Sequence, residues 1–137
     1  MSGFNNPYAP AVYNGMDTPK GEQDFTYVYD GVVAGNASIN DGVATMTDAP
    51  FRWLGIVVNA YTSISFAVRF SVNGLYYLSS TALQAATYAG DPSSPFPLLG
   101  NIIVPAGARI TVDIQELSGA QNTIEILFRG VKLFPNS

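Results

Sequence analysis

Apolar and polar residues alternate most regularly between Ser63 and Val72. Ile64, Phe66, Val68, Phe70 and Val72 fall on one side, and Ser63, Ser65, Ala67, Arg69 and Ser71 on the other. A period of two sustained over this length predicts a strand with one buried face. Asn73-Gly74 follows, and an apolar run resumes at Leu75–Ser79. Asn-Gly between two such runs predicts a tight hairpin, because both turn positions need positive φ.

The same period recurs along most of the chain. Phe25, Tyr27 and Tyr29 share one face of a first strand. Asn40-Asp41-Gly42 separates Ala37–Ile39 from Val43–Met46 and reads as a second hairpin turn. Phe51–Ala60 is nearly continuous in apolar residues, which predicts a strand covered on both sides or kinked at Gly55. Ile102–Val104 is a short strand, and Pro105–Ala108 turns the chain. Ile110, Val112 and Ile114 alternate with polar partners, as do Ile124, Ile126 and Phe128 beyond the Ser118–Asn122 turn. The pattern restarts one residue out of phase at Val131 and Leu133, so Gly130 reads as a β-bulge.

Two segments break the rhythm. Ser79-Ser80-Thr81 before Ala82-Leu83-Gln84-Ala85-Ala86 predicts a helix of two or three turns. Tyr88–Pro97 holds Gly90, Pro92, Pro95 and Pro97 and reads as a contact loop. Eight to nine short strands with one short helix predict an all-β protein, an antiparallel β-sandwich over residues 24–137. A jelly roll is the leading architecture and an immunoglobulin-like sandwich the alternative.

Residues 1–23 do not fit this scheme. Pro7, Pro10 and Pro19 forbid a continuous helix, while Phe4, Tyr8, Val12 and Tyr13 are scattered apolar anchors. Ordering a residue costs roughly 1–2 kcal/mol of backbone entropy, which so few local contacts do not offset. The stretch reads as an extended N-terminal arm, on the order of 75 Å long at full extension, that is either a frayed tail or gains order by crossing to a neighbour. Phe4, Tyr8 and Tyr13 of the arm, with Pro92 and Phe96 of the loop, are the candidate partner-binding residues.

Charge narrows the choice of partner. Only 12% of residues are charged, against roughly 25% in an ordinary domain. The net charge is −4, with Asp17, Glu22, Asp24, Asp30, Asp41 and Asp48 all before residue 50. No basic footprint for nucleic acid stands out, and no run approaches the length of a membrane helix. The uncharged first residues do not read as a secretory signal. A surface so poor in charge suits a subunit covered by neighbours, since interface cores are depleted in charge.

The chain has neither His nor Cys. It therefore has no general base titrating near neutrality, no thiolate and no disulfide. Asp113, Glu116 and Glu125 are the one set of carboxylates placed for glycosidase chemistry, and pairing with Arg69, Arg109 or Arg129 explains them more simply. Asn40-Asp41-Gly42 and Asp91 lack the ligand count of a calcium loop. No enzyme, cofactor or metal is expected. Trp53 reads as a core residue. With Tyr76, Tyr77 and Tyr88 it is also a possible sugar-stacking surface.

The last third carries a resemblance. Ile102-Ile103-Val104-Pro105-Ala106-Gly107-Ala108-Arg109-Ile110 leads into Thr111-Val112-Asp113-Ile114-Gln115-Glu116-Leu117-Ser118-Gly119. The chain closes with Asn122-Thr123-Ile124-Glu125-Ile126-Leu127-Phe128-Arg129-Gly130-Val131-Lys132-Leu133-Phe134. The Pro-Ala-Gly turn, the acidic-Leu pair and the final Gly-hydrophobic-Lys-hydrophobic-Phe run resemble small β-sandwich virion proteins of tailed bacteriophages. The similarity covers roughly residues 51–134.

It implies a capsid decoration or cement protein, made in the host cytoplasm and carried on the virion surface. Such a protein bridges major capsid protein subunits, and a homotrimer is the expected self-assembly. A neck, tail or head-fibre component and a carbohydrate-binding attachment module are the alternatives. The resemblance supplies no catalytic residues and implies no nucleic-acid or membrane partner.

Overall fold

The computed structural model describes residues 21–88 and 94–134. Nine strands form two antiparallel sheets that pack face to face: β1 (Gly21–Val33), β2 (Ser38–Met46), β3 (Phe51–Tyr61), β4 (Phe66–Val72), β5 (Leu75–Tyr77), β6 (Leu83–Gln84), β7 (Phe96–Val104), β8 (Arg109–Glu116) and β9 (Asn122–Phe134). One sheet runs β1-β9-β3-β7. The other runs β2-β8-β4-β5, with β6 extending the same edge of β4. The all-β sandwich expected from the alternation is the observed fold.

The pairings nest around one turn. β4 pairs with β5 and β6, β3 with β7, β2 with β8 and β1 with β9. The turn at the centre is Asn73-Gly74, with φ of 50° and 84° as an Asn-Gly hairpin requires. Two further pairings, β3 with β9 and β4 with β8, join the halves. Chain neighbours β1 and β2, β3 and β4, and β7 and β8 therefore lie in opposite sheets.

The core is what the alternation assigned. Phe66, Val68, Phe70 and Val72 of β4 meet Ile110, Val112 and Ile114 of β8 and Ile124, Ile126 and Phe128 of β9. Phe70 joins the two sheets, with its ring centroid 5.9 Å from Trp53, 5.7 Å from Phe128 and 5.3 Å from Tyr88. Edge-on stacking at these distances adds to the gain from burial.

Several expectations are corrected. The Asn40-Asp41-Gly42 segment is not a hairpin turn. β2 runs straight through it against β8, with a register shift between Ile39 and Gly42. Asp41 takes a φ of 55° there and donates its N–H to Asp113 Oδ1 at 2.8 Å. The turn chemistry is spent on a bulge.

The bulge expected at Gly130 lies in β3 instead. β9 pairs with β1 without interruption from Asn122 to Phe134, whereas Leu54 is the extra residue in β3 opposite Arg129 and Gly130. That bulge moves β3 from Phe51 and Trp53 to Ile56 and Val58 on the core side, which makes the run look continuously apolar. The expected strand from Ser63 begins pairing at Phe66. The Asn122 side chain takes the N–H groups of Thr62 and Ser63, each at 3.1 Å, and holds the backbone out of the ladder.

The expected helix over 82–86 is also corrected. Leu83 and Gln84 pair with Val68 and Ala67, so their backbone serves the sheet. Only Ala85–Tyr88 remains, as one 3-10 turn. Phe96 and Pro97, expected in the contact loop, belong to β7. The arm boundary also moves, because Gly21-Glu22-Gln23 pair with Phe134, Leu133 and Lys132.

Candidate functional site

The carboxylates offered by the sequence do not converge. Asp113, on the outer face of β8, accepts from Arg69 Nε at 3.2 Å and Nη2 at 2.9 Å. Arg69 also stacks its guanidinium 3.7 Å from the Tyr76 ring centroid. Glu125 sits on the other sheet, registered opposite Asp30, and accepts from the Asn59 amide.

Glu116 is buried at 1% exposure and accepts from the Ser118 hydroxyl at 2.8 Å, Gly119 N–H at 2.8 Å, Asn122 Nδ2 at 3.1 Å and Asn36 N–H at 3.4 Å. Burial raises its pKa. The hydrogen bonds lower it by more, and the net value is about 2. It is a structural anion that ties the 34–37 turn to the 117–121 turn.

Lys132 is committed as well. Its Nζ lies 2.9 Å from Asp48 Oδ1 and 3.5 Å from the Phe25 ring centroid. Tyr27 donates its hydroxyl to the same Asp48 oxygen at 2.9 Å. Burial, then this hydrogen bond, push the Tyr27 phenol up to about 12, and Lys132 holds Asp48 below its ordinary value. The cluster fastens β1 and β9 to the β2–β3 connection. Among the described residues no cluster of three or more His, Cys, Asp or Glu is placed to hold a metal. No helix there is long and apolar enough to cross a membrane.

The sugar-stacking set is dispersed too. Trp53 is wholly buried and donates Nε1–H to Gly55 O at 3.1 Å, and Tyr88 is 2% exposed. Tyr77 is half-buried against the core. Tyr76 is open to solvent but has Arg69 on its ring.

The surface is notable for apolar exposure. Leu99 is 90% exposed, Leu75 67% and Met46 62%. At one end of the sandwich, Leu78, Leu83, Tyr88, Phe96, Leu98 and Leu99 line an open groove of about 460 Å³ that carries no charged residue. Leu78 holds a φ of 76° beside it, a conformation that costs a residue with a side chain roughly 1–2 kcal/mol. Tyr88 packs edge-on against Phe96 at 5.3 Å, and its buried hydroxyl has no hydrogen-bond partner among the described residues.

Phe96 is thus the one predicted partner-binding residue that the structure places, and it lies in this groove. Phe4, Tyr8, Tyr13 and Pro92 lie outside the described residues. Leu78, Leu83, Leu98 and Leu99 had no sequence signal, because Leu78 lies in a connection, Leu83 in β6 and Leu98-Leu99 in β7, and they share no period. No known family, curated protein or solved structure matches the chain.

Proposed function

We propose that this chain is a virion structural subunit that decorates and stabilises a tailed-phage capsid by bridging major capsid subunits. The observation that carries the reading is the apolar surface: Leu99, the most exposed of the large apolar residues, stands over an uncharged groove that Leu78, Leu83, Phe96 and Leu98 also line. Contiguous exposed apolar surface marks an interaction site. The carboxylates discussed above, with Arg69 and Lys132, are engaged in holding the sandwich together. The resemblance of the last third to phage virion proteins supplies the kind of partner.

The nested pairing of the strands supports a jelly roll, an architecture that recurs in viral capsid domains. A homotrimer is the assembly we favour, with each copy adding its own footprint to the shell. The arm over residues 1–20 is a second attachment point.

Counting copies of the chain in purified particles tests this reading. Decoration requires on the order of hundreds per particle, following the symmetry of the shell. Six to twelve copies would place it in a neck, tail or fibre, and absence from the particle would end the virion reading altogether.

A further inference from the structure

We propose that the groove lined by Leu78, Leu83, Tyr88, Phe96, Leu98 and Leu99 seats residues 4–13 of a second copy's N-terminal arm. The proposal rests on the reading of the chain as a self-assembling subunit and names the contact that joins the copies.

Three features select this occupant. The first is the buried Tyr88 hydroxyl, which has no partner among the described residues. A buried polar group left unpaired is costly, and the main-chain carbonyl of an extended segment would satisfy it. Aromatic-lined grooves take extended proline-bearing peptides in this way. Phe4, Pro7, Tyr8, Pro10 and Tyr13 supply such a segment.

The second is charge. The groove carries none, and residues 1–15 carry none. A segment with an ionised side chain would have to desolvate it on entering.

The third is reach. Gly21 of β1 pairs with Phe134 of β9, whereas Phe96 of β7 pairs with Ile56 of β3, which lies opposite Phe128. At ~3.4 Å per residue and ~4.8 Å per strand, the groove is about 25 Å from Gly21 along the β1-β9-β3-β7 sheet. Residues 13–20 extend to at most about 29 Å. On its own molecule the arm would have to run taut to seat Tyr13, while a neighbour's groove imposes no such path.

The test uses the full chain with Leu99 replaced by the photocrosslinker p-benzoylphenylalanine, mixed in equal parts as natural and ¹⁵N-labelled protein. Irradiation and peptide mapping are expected to join position 99 to the Phe4–Tyr13 segment in mixed light–heavy pairs. Crosslinks confined to one chain, crosslinks to another segment, or none would overturn the proposal.

Tyr88→Phe in the same background is expected to keep or raise the thermal midpoint while weakening crosslinking roughly 3–10-fold, the loss of one hydrogen bond. An undiminished yield would overturn it. Crosslinked chains that are absent from particles would remove the capsid reading and leave the groove assignment standing. Abundant particle copies without the crosslink would do the reverse.

Discussion

Glu116 keeps its charge inside the sandwich because a hydroxyl, an amide and two backbone N–H groups converge on it. Its folded pKa of about 2 lies below its ordinary 4.5. The unfolded chain therefore binds the proton first as pH falls, and the stability that Glu116 contributes is full above 4.5 and lost on the way down to 2. Asp48, lowered by Lys132, adds a loss of the same sign. Urea midpoints measured across this window should fall steeply for the parent. Glu116→Gln should start lower at neutral pH and fall less. An equal slope in both would show that folding leaves the Glu116 pKa where the unfolded chain has it, against the lowered value.

Asp30 behaves in the opposite sense. Desolvation, then the hydrogen bond and like charge of Glu125, raise its pKa. The pair therefore costs stability as pH rises through the ordinary value of 3.8. Asp30→Asn should stabilise the fold slightly at neutral pH, and less as salt is added, because Asp30 is exposed and solvent screens the pair. Denaturant unfolding reads the sign directly.

At the scale of elements, two glycines separate two causes of strain. A Cβ on Gly130 would lie 2.1 Å from Arg52 O and 2.8 Å from Phe51 Cζ, because the β3 bulge presses backbone and ring against β9. Gly130→Ala should cost about 1–3 kcal/mol or more, as overpacking does. A Cβ on Gly74 would meet nothing within 4 Å, but φ there is 84°. Gly74→Ala should cost about 1–2 kcal/mol through backbone conformation alone. Thermal unfolding of both checks the order, and Gly74→Ala proving the worse would argue against the bulge placement.

The same elements mark what the sequence made legible. Phe66 to Val72, Ile110 to Ile114 and Ile124 to Phe128 could be read from period alone, because each strand buries one face in a single core. Asn73-Gly74 could be read because its turn needs the φ values that these residues tolerate. The bulge at Asp41 was not legible, and the one at Leu54 was legible only as one of two readings of Phe51–Ala60, the kink at Gly55. A turn-forming tripeptide and a long apolar run each have two solutions, and the choice depends on a partner strand distant in sequence. Leu83-Gln84 look helical in isolation, and β4 recruits them as strand. The groove draws on three elements and the connection that holds Leu78, so beforehand only its Tyr88, Phe96 and Pro97 could be suspected, as parts of the expected contact loop.

At the scale of the whole molecule, the sandwich keeps its aromatic core inside and leaves large aliphatic residues outside. Leu99, Leu75, Met46 and Val32 are each more than half exposed, while Arg69 with Asp113, Arg52 with Glu22 and Lys132 with Asp48 spend charge on internal pairs. That distribution suits a body finished by its neighbours. On the proposed reading, an arm over residues 1–20 that grips a second site would multiply weak contacts through effective concentration. Residues 1–20 should therefore matter to attachment more than to folding.

Co-sedimentation of the purified chain with capsid shells stripped of it tests the central claim most directly, with the full chain and a chain lacking residues 1–20 run side by side. The full chain should pellet with the shells and saturate, and the shortened chain should fold yet remain largely in the supernatant. A full chain that stays in solution, or a shortened chain that pellets as tightly as the full one, would contradict the account.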